Sequence, residues 1–133
     1  MKTVVALLLL ATAPGSARIT NTDLICSMRS MGMQWQGRWR EDAGEPSQPI
    51  RLRLDIARGR WCRDTCDYQG QARMQGASII LGSDGDPGLP KGWKQEGAVD
   101  TASWAYTNTV SDQNGIVSVM RYECAPASFT PNG

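Results

Sequence analysis

IRLRLDIARGRWCRDTC, residues 50–66, is the stretch whose reading decides the fold. Ile50, Leu52, Leu54 and Ile56 alternate with Arg51, Arg53, Asp55 and Ala57. Successive side chains of a strand point to opposite faces, so a period of two sets four aliphatics on a core and polar groups in water. Ala57-Arg58-Gly59-Arg60 then supplies a glycine that takes positive φ where the chain must reverse. Trp61 and Cys62 open a second short strand, which runs into a Cys-x-x-x-Cys loop ending at Cys66. The stretch is a β-hairpin with a cysteine clasp.

Toward the N-terminus the same alternation returns. Met31, Met33, Trp35, Gly37 and Trp39 alternate with Gly32, Gln34, Gln36, Arg38 and Arg40, as one strand running to Trp39. Leu24, Cys26 and Met28 hold the opposite parity, so the phase change near Arg29-Ser30 predicts a bulge, or two strands in place of one. Glu41 to Gln48 reads as a loop. On the C-terminal side, Asp67 to Gly76 is polar and glutamine-rich and reads as a connector. Ala77 to Leu81 is a short apolar strand, and Gly82 to Gly92 an irregular surface loop rich in glycine and proline. Glu96 to Thr109 has strand composition, Asn114-Gly115 predicts a type I′ hairpin, and Ile116 to Cys124 is the closing strand. No stretch carries apolar residues at helical spacing. The expectation is an all-β fold, a single antiparallel sandwich or small barrel stabilised by disulfides. Trp35, Trp61 and Trp104 are expected in its core.

Residues 1–17 read as a signal peptide. Lys2 is its positive end, Val4 to Ala13 an apolar run too short to span a bilayer, and Gly15-Ser16-Ala17 a cleavage site of small residues. Cleavage leaves residues 18–133 as a single all-β domain, exported to the periplasm or secreted, with no transmembrane segment. That domain carries 13 basic and 13 acidic groups, a balance that argues against a general nucleic-acid or membrane-surface role. Its four cysteines, Cys26, Cys62, Cys66 and Cys124, are read as disulfides first. Spacing favours Cys62–Cys66 with Cys26–Cys124, the other two pairings staying open at this point. The long Cys26–Cys124 loop would restrict the unfolded chain by about 4 kcal/mol.

The chain has no histidine, which excludes Ser-His, Cys-His and His-metal arrangements. Asp55, Asp64, Asp67, Glu96 and Asp100 leave a carboxylate-dependent hydrolase as a third reading, against the habit of such acids on turns and strand faces to be simply solvated. The chain is read as a non-enzyme without cofactor. Met28, Met31, Met33 and Trp35 form a string of soft ligands, and the second reading is a periplasmic copper carrier. The competing reading of that string is core filling. Asp84-Gly85-Asp86 reads as a turn and not as a calcium loop. Two features suit contact with a partner. Trp93 is an aromatic in the irregular loop, and Arg51, Arg53, Arg58 and Arg60 give the hairpin a local excess of cations. The first reading is therefore an exported, non-catalytic binding protein, an interaction or inhibitor module for an envelope protein or an anionic envelope component.

These residues together resemble a group of small exported bacterial β-sheet proteins of uncharacterised function. The group shares an early cysteine, a strand ending in an LDxAxGxWCxxxC hairpin, and a closing cysteine followed by Pro and Phe. Here the matching residues are Cys26, Leu54 to Cys66, Cys124, Pro126 and Phe129. The resemblance implies strand, turn and disulfide, and carries no activity or ligand. Gly37-Arg38-Trp39 is also similar to the GxW of lipocalin-like barrels, which implies a barrel more than a sandwich.

Overall fold

The computed structural model describes residues 21–43, 48–83 and 86–131; the expected signal peptide, and Asp84 and Gly85 of the acidic turn, lie outside them. Among the described residues there are nine strands: β1 (Thr22–Trp35), β2 (Arg38–Ala43), β3 (Ile50–Asp55), β4 (Arg60–Arg63), β5 (Gln69–Gln75), β6 (Ser78–Gly82), β7 (Lys94–Asp100), β8 (Tyr106–Asp112) and β9 (Gly115–Ala127). All pairings are antiparallel. Each of β3 to β8 pairs with the next in sequence, and β9 closes on β1, giving an eight-stranded barrel with β2 as an extra strand. Among the described residues no helix is long and apolar enough to cross a membrane.

The long strand β1 organises the closure. Its first half, Thr22 to Cys26, pairs with β3, its second half, Ser30 to Trp35, with β2, and β9 runs along the other edge from Asp23 to Met33. Strands β2 and β3 thus follow one another along a single edge of β1. The expected bulge is present between Met28 and Ser30, inside one continuous strand. Arg29 is the extra residue and its guanidinium reaches Glu123 on β9. A bulge puts two residues opposite one and so resets the parity. Leu24, Cys26 and Met28 share the inner face with Met31 and Met33, whose β9 partners are Met120 and Ser118.

The alternation of β3 does what its sequence predicts: Ile50, Leu52 and Leu54 are buried between half-exposed Arg51, Arg53 and Asp55. With Leu24, Ile79, Leu81, Val99, Trp61, Tyr106 and Tyr122 they form one core. Each fully buried aliphatic contributes roughly 1.5–3 kcal/mol. Small residues admit the aromatics: a β-carbon on Gly97 would stand 2.7 Å from the Tyr106 ring. Disulfides join Cys26 to Cys124, at directly paired positions of β1 and β9, and Cys62 to Cys66. Two disulfides are the mark of an oxidising, exported environment.

Several expectations are corrected. The first strand does not run on to Trp39. Gln36 and Gly37 both take positive φ, 51° and 76°, and reverse the chain, so the supposed loop from Glu41 begins inside β2. The connector at 67–76 contains β5: its inward residues are Gly70 and Ala72, too small to show as an apolar pattern, while its outward side chains are polar. The stretch 96–109 is two strands, broken at residues 101–105 where Asp100 accepts the backbone amides of Ala102 and Ser103. At the last hairpin only Gly115 takes positive φ, so the turn lies at Gln113-Asn114 and is not the Asn114-Gly115 type I′ turn expected. Trp61 is buried and Trp104 packs half-buried against the core, but Trp35 is 54% exposed. It sits at the end of β1, past the last residue paired with β9, where no layer covers it.

Candidate functional site

On β3 the polar parity faces outward, and Arg53 and Asp55 stand opposite Cys62 and Arg60 of β4. The clasp is therefore on the outer surface of the barrel wall. Its loop is pinned to β3 in both directions: the Asp64 amide donates to the Arg51 carbonyl at 2.8 Å, and the Arg51 amide donates to Asp64 Oδ1 at 2.9 Å. Asp64 and Cys66 both take left-handed φ, 50° and 61°, which the bridge and these bonds hold in place.

The four candidate arginines divide into two pairs. Arg51 donates through Nε to Oδ2 of Asp23 at 2.6 Å, a carboxylate with no exposed surface. Arg53 donates through Nη2 to the carbonyls of Thr130 and Pro131, at 2.8 and 3.1 Å, and its Nη1 lies 3.3 Å from Cys66 Sγ. These two are committed to holding a strand and the C-terminal tail. Arg58 and Arg60 flank the left-handed Gly59 at the tip of the hairpin. Asp55 Oδ1 accepts the Arg58 amide at 3.1 Å and so shapes the turn. The Arg58 guanidinium, at 3.9 Å from Asp55 and 74% exposed, is only loosely paired.

Two adjoining clefts meet at this tip. One, of about 250 Å³, is lined by Arg53, Asp55, Arg58, Arg60, Gln69 and Phe129 among others. The other, of about 380 Å³, is lined by Arg58, Arg60, Gln71, Arg73, Lys94 and Glu96 among others. Arg58 and Arg60 form the wall between them. Register explains the second group: Arg60 pairs with Gln71 and Gly82 with Glu96, so residues far apart in sequence fall in one row across β4 to β7. Neither Arg73 nor Lys94 is expected from the sequence at a binding surface. Arg73 lies in what looked like a connector, and Lys94 in what looked like a loop; only the strand register brings them beside the hairpin.

Trp93 is half-buried, and its backbone amide donates to the Pro90 carbonyl at 3.1 Å. It lines neither of these two clefts. Four of the five candidate carboxylates, Asp55, Asp64, Asp67 and Asp100, are engaged with local groups. Asp55 also accepts from Asn21, Asp64 pairs with Arg63, and Asp67 accepts from Thr65. The Ser103 and Ala102 amides hold the Asp100 carboxyl below its ordinary range. Among the described residues no group of three or more His, Cys, Asp or Glu is placed to hold a metal ion. No protein-family profile, no curated protein and no solved structure matches the chain.

Proposed function

We propose that the protein is an exported, non-catalytic binding module, and that Arg58 and Arg60 hold phosphate or carboxylate groups of its partner. The observation that supports this reading is the position of these two side chains on the wall shared by both clefts. Arg73 and Lys94 add cations on one side, where Glu96 is the acid, and Arg53 adds one on the other, where Asp55 is the acid. Guanidinium groups bind such oxyanions through paired N–H donors, and a tight turn presents two of them without a long ordered loop. Each exposed contact is weak and screened by salt. Useful affinity thus calls for a partner with several anionic groups, either an anionic polymer of the envelope or the acidic face of an envelope protein.

The test is titration of the protein with inorganic polyphosphate and with poly-glutamate at low salt. Binding that weakens at least about tenfold in Arg58→Ala/Arg60→Ala, and that fades at about 0.5 M salt, is the expected result. Binding of equal strength in parent and double variant, or no binding of either polymer, would end the reading.

A further inference from the structure

We propose a second, separate site at the other side of the barrel wall, for a soft monovalent cation of the copper(I) class, with Met31, Met33 and Met120 as its ligands. The sequence alone offers a string of methionines on β1. The fold changes what that string is. Because Arg29 bulges out, Met28 keeps the inner parity before it and Met31 and Met33 take it after. Met120 of β9 then stands directly opposite Met31, and Ser118 opposite Met33. Directly opposed side chains have β-carbons about 5 Å apart and diagonal ones about 7–8 Å apart. Three rotatable bonds let each thioether close that gap, which puts the three sulfurs within reach of one ion.

Core filling accounts for Met120 but not for Met31 and Met33. Met28 and Met120 pack against the core, but Met31 and Met33 are half-buried without belonging to it, and Trp35 beyond them is exposed. Asn108, opposite Met120 on β8, is 3% exposed, and its Oδ1 has no hydrogen-bond partner among the described residues. A buried amide oxygen without a partner is a costly thing to keep beside an unused patch of thioethers. The Tyr122 hydroxyl donates to Met120 Sδ at 3.8 Å, which orients that sulfur and leaves it a second lone pair.

The donor chemistry narrows the ion. All four cysteines are in disulfides and the chain has no histidine, so thioethers are the only soft donors it has. They suit an oxidising environment, where thiols would pair off, and they have no proton to lose on binding. Neutral ligands leave the ion its charge. Asp42 stands opposite Met31 and offsets it, whereas Arg40 opposite Met33 and Arg38 opposite Trp35 keep it toward β9.

Silver(I) is the redox-stable probe. Native mass spectrometry of the disulfide-bonded protein is expected to show one silver ion per chain. With methyl-labelled methionine, the resonances of Met31, Met33 and Met120 should shift and that of exposed Met74 should not. Met33→Leu, at a half-buried position, should weaken binding at least about tenfold, since leucine keeps the volume and removes the sulfur. Met74→Leu should leave it unchanged. No bound silver at micromolar concentration, shifts confined to other methionines, or equal binding by a folded Met31→Leu/Met33→Leu variant would each overturn the site. None of these outcomes depends on the arginine clefts, which are built from other strands.

Discussion

The indole of Trp61 crosses β5 over Gly70 and donates its Nε1–H to the Gly82 carbonyl on β6, at 2.8 Å. Three strands are laced together by one side chain that also borders the arginine cleft. A β-carbon on Gly70 would come within 2.2 Å of the Gly82 oxygen and 2.3 Å of the indole nitrogen. Backbone on one side and a packed ring on the other leave it no room. Gly70→Ala is therefore expected to cost about 3 kcal/mol, at the upper end for overpacking, and Trp61→Phe about 1 kcal/mol for the lost donor together with a packing loss. Urea midpoints of the two variants measure both costs, and a Gly70→Ala variant of parental stability would refute the crossing.

The two disulfides close loops of very different length. Cys26 and Cys124 are 98 residues apart, Cys62 and Cys66 only 4. Chain entropy assigns the first about 4–5 kcal/mol and the second about 2 kcal/mol. Cys26→Ala/Cys124→Ala should accordingly lower stability more than Cys62→Ala/Cys66→Ala. Denaturant unfolding of both variants, with the remaining disulfide checked by mass, gives the order; the reverse order would mean that the clasp holds more than its own loop.

The strand pattern at Ile50 to Asp55, the turn glycine at Gly59 and the bulge at Arg29 were all legible in the sequence, because each rests on local parity or on a local backbone requirement. What was not legible depends on partners. Residues 69–75 carry no apolar alternation because their inward residues, Gly70 and Ala72, are small, and Gly70 makes way for Trp61, a residue from another strand. Trp35 looks like a core residue by parity and is exposed because the barrel ends before it. The two clefts are the clearest case: Arg58 and Arg60 are only two positions apart in sequence, but Arg73, Lys94 and Glu96 reach them only through register across four strands. Met120 joins Met31 in the same way.

Tyr106 and Tyr122 stack in the core with ring centroids 5.2 Å apart, 4% and 6% exposed. Burial raises both phenols above their ordinary value, and for Tyr106 the neighbouring Tyr122 adds to the effect. A group whose folded pKa lies above its unfolded value binds its proton more tightly when folded. Its contribution is whole below the unfolded pKa, about 10, and is lost as pH rises beyond it. Stability should therefore fall above about pH 10, by up to about 1.4 kcal/mol per pH unit for each tyrosine. Tyr106→Phe should flatten the slope. Urea titrations across the alkaline range test this, and parallel slopes for parent and variant would remove Tyr106 from the account.

Among the described residues, Arg53 is the arginine of the hairpin that ties the C-terminal tail to the barrel. Its Nη2 serves the carbonyls of both Thr130 and Pro131, and Phe129 of the same tail borders the cleft that Arg58 and Arg60 share. A lysine offers a point charge on a flexible stem and cannot reproduce the fork that also reaches Cys66. Arg53→Lys should thus loosen the tail in part and Arg53→Ala fully, with a stability loss of about 1–2 kcal/mol for the alanine, since the lost bonds are charge-assisted but partly exposed. Hydrogen exchange read on the peptide containing Ser128 to Thr130 should accelerate in that order. Arg121→Ala, which breaks the surface pair with Glu41, should leave the same peptide unchanged. Because the tail forms one side of the cleft, its release should also alter polyanion binding in Arg53→Ala beyond the removal of one charge, so that Arg53→Ala weakens it more than Arg73→Ala does. Equal loss in the two variants, with unchanged exchange at the tail, would reduce Arg53 to one cation among several.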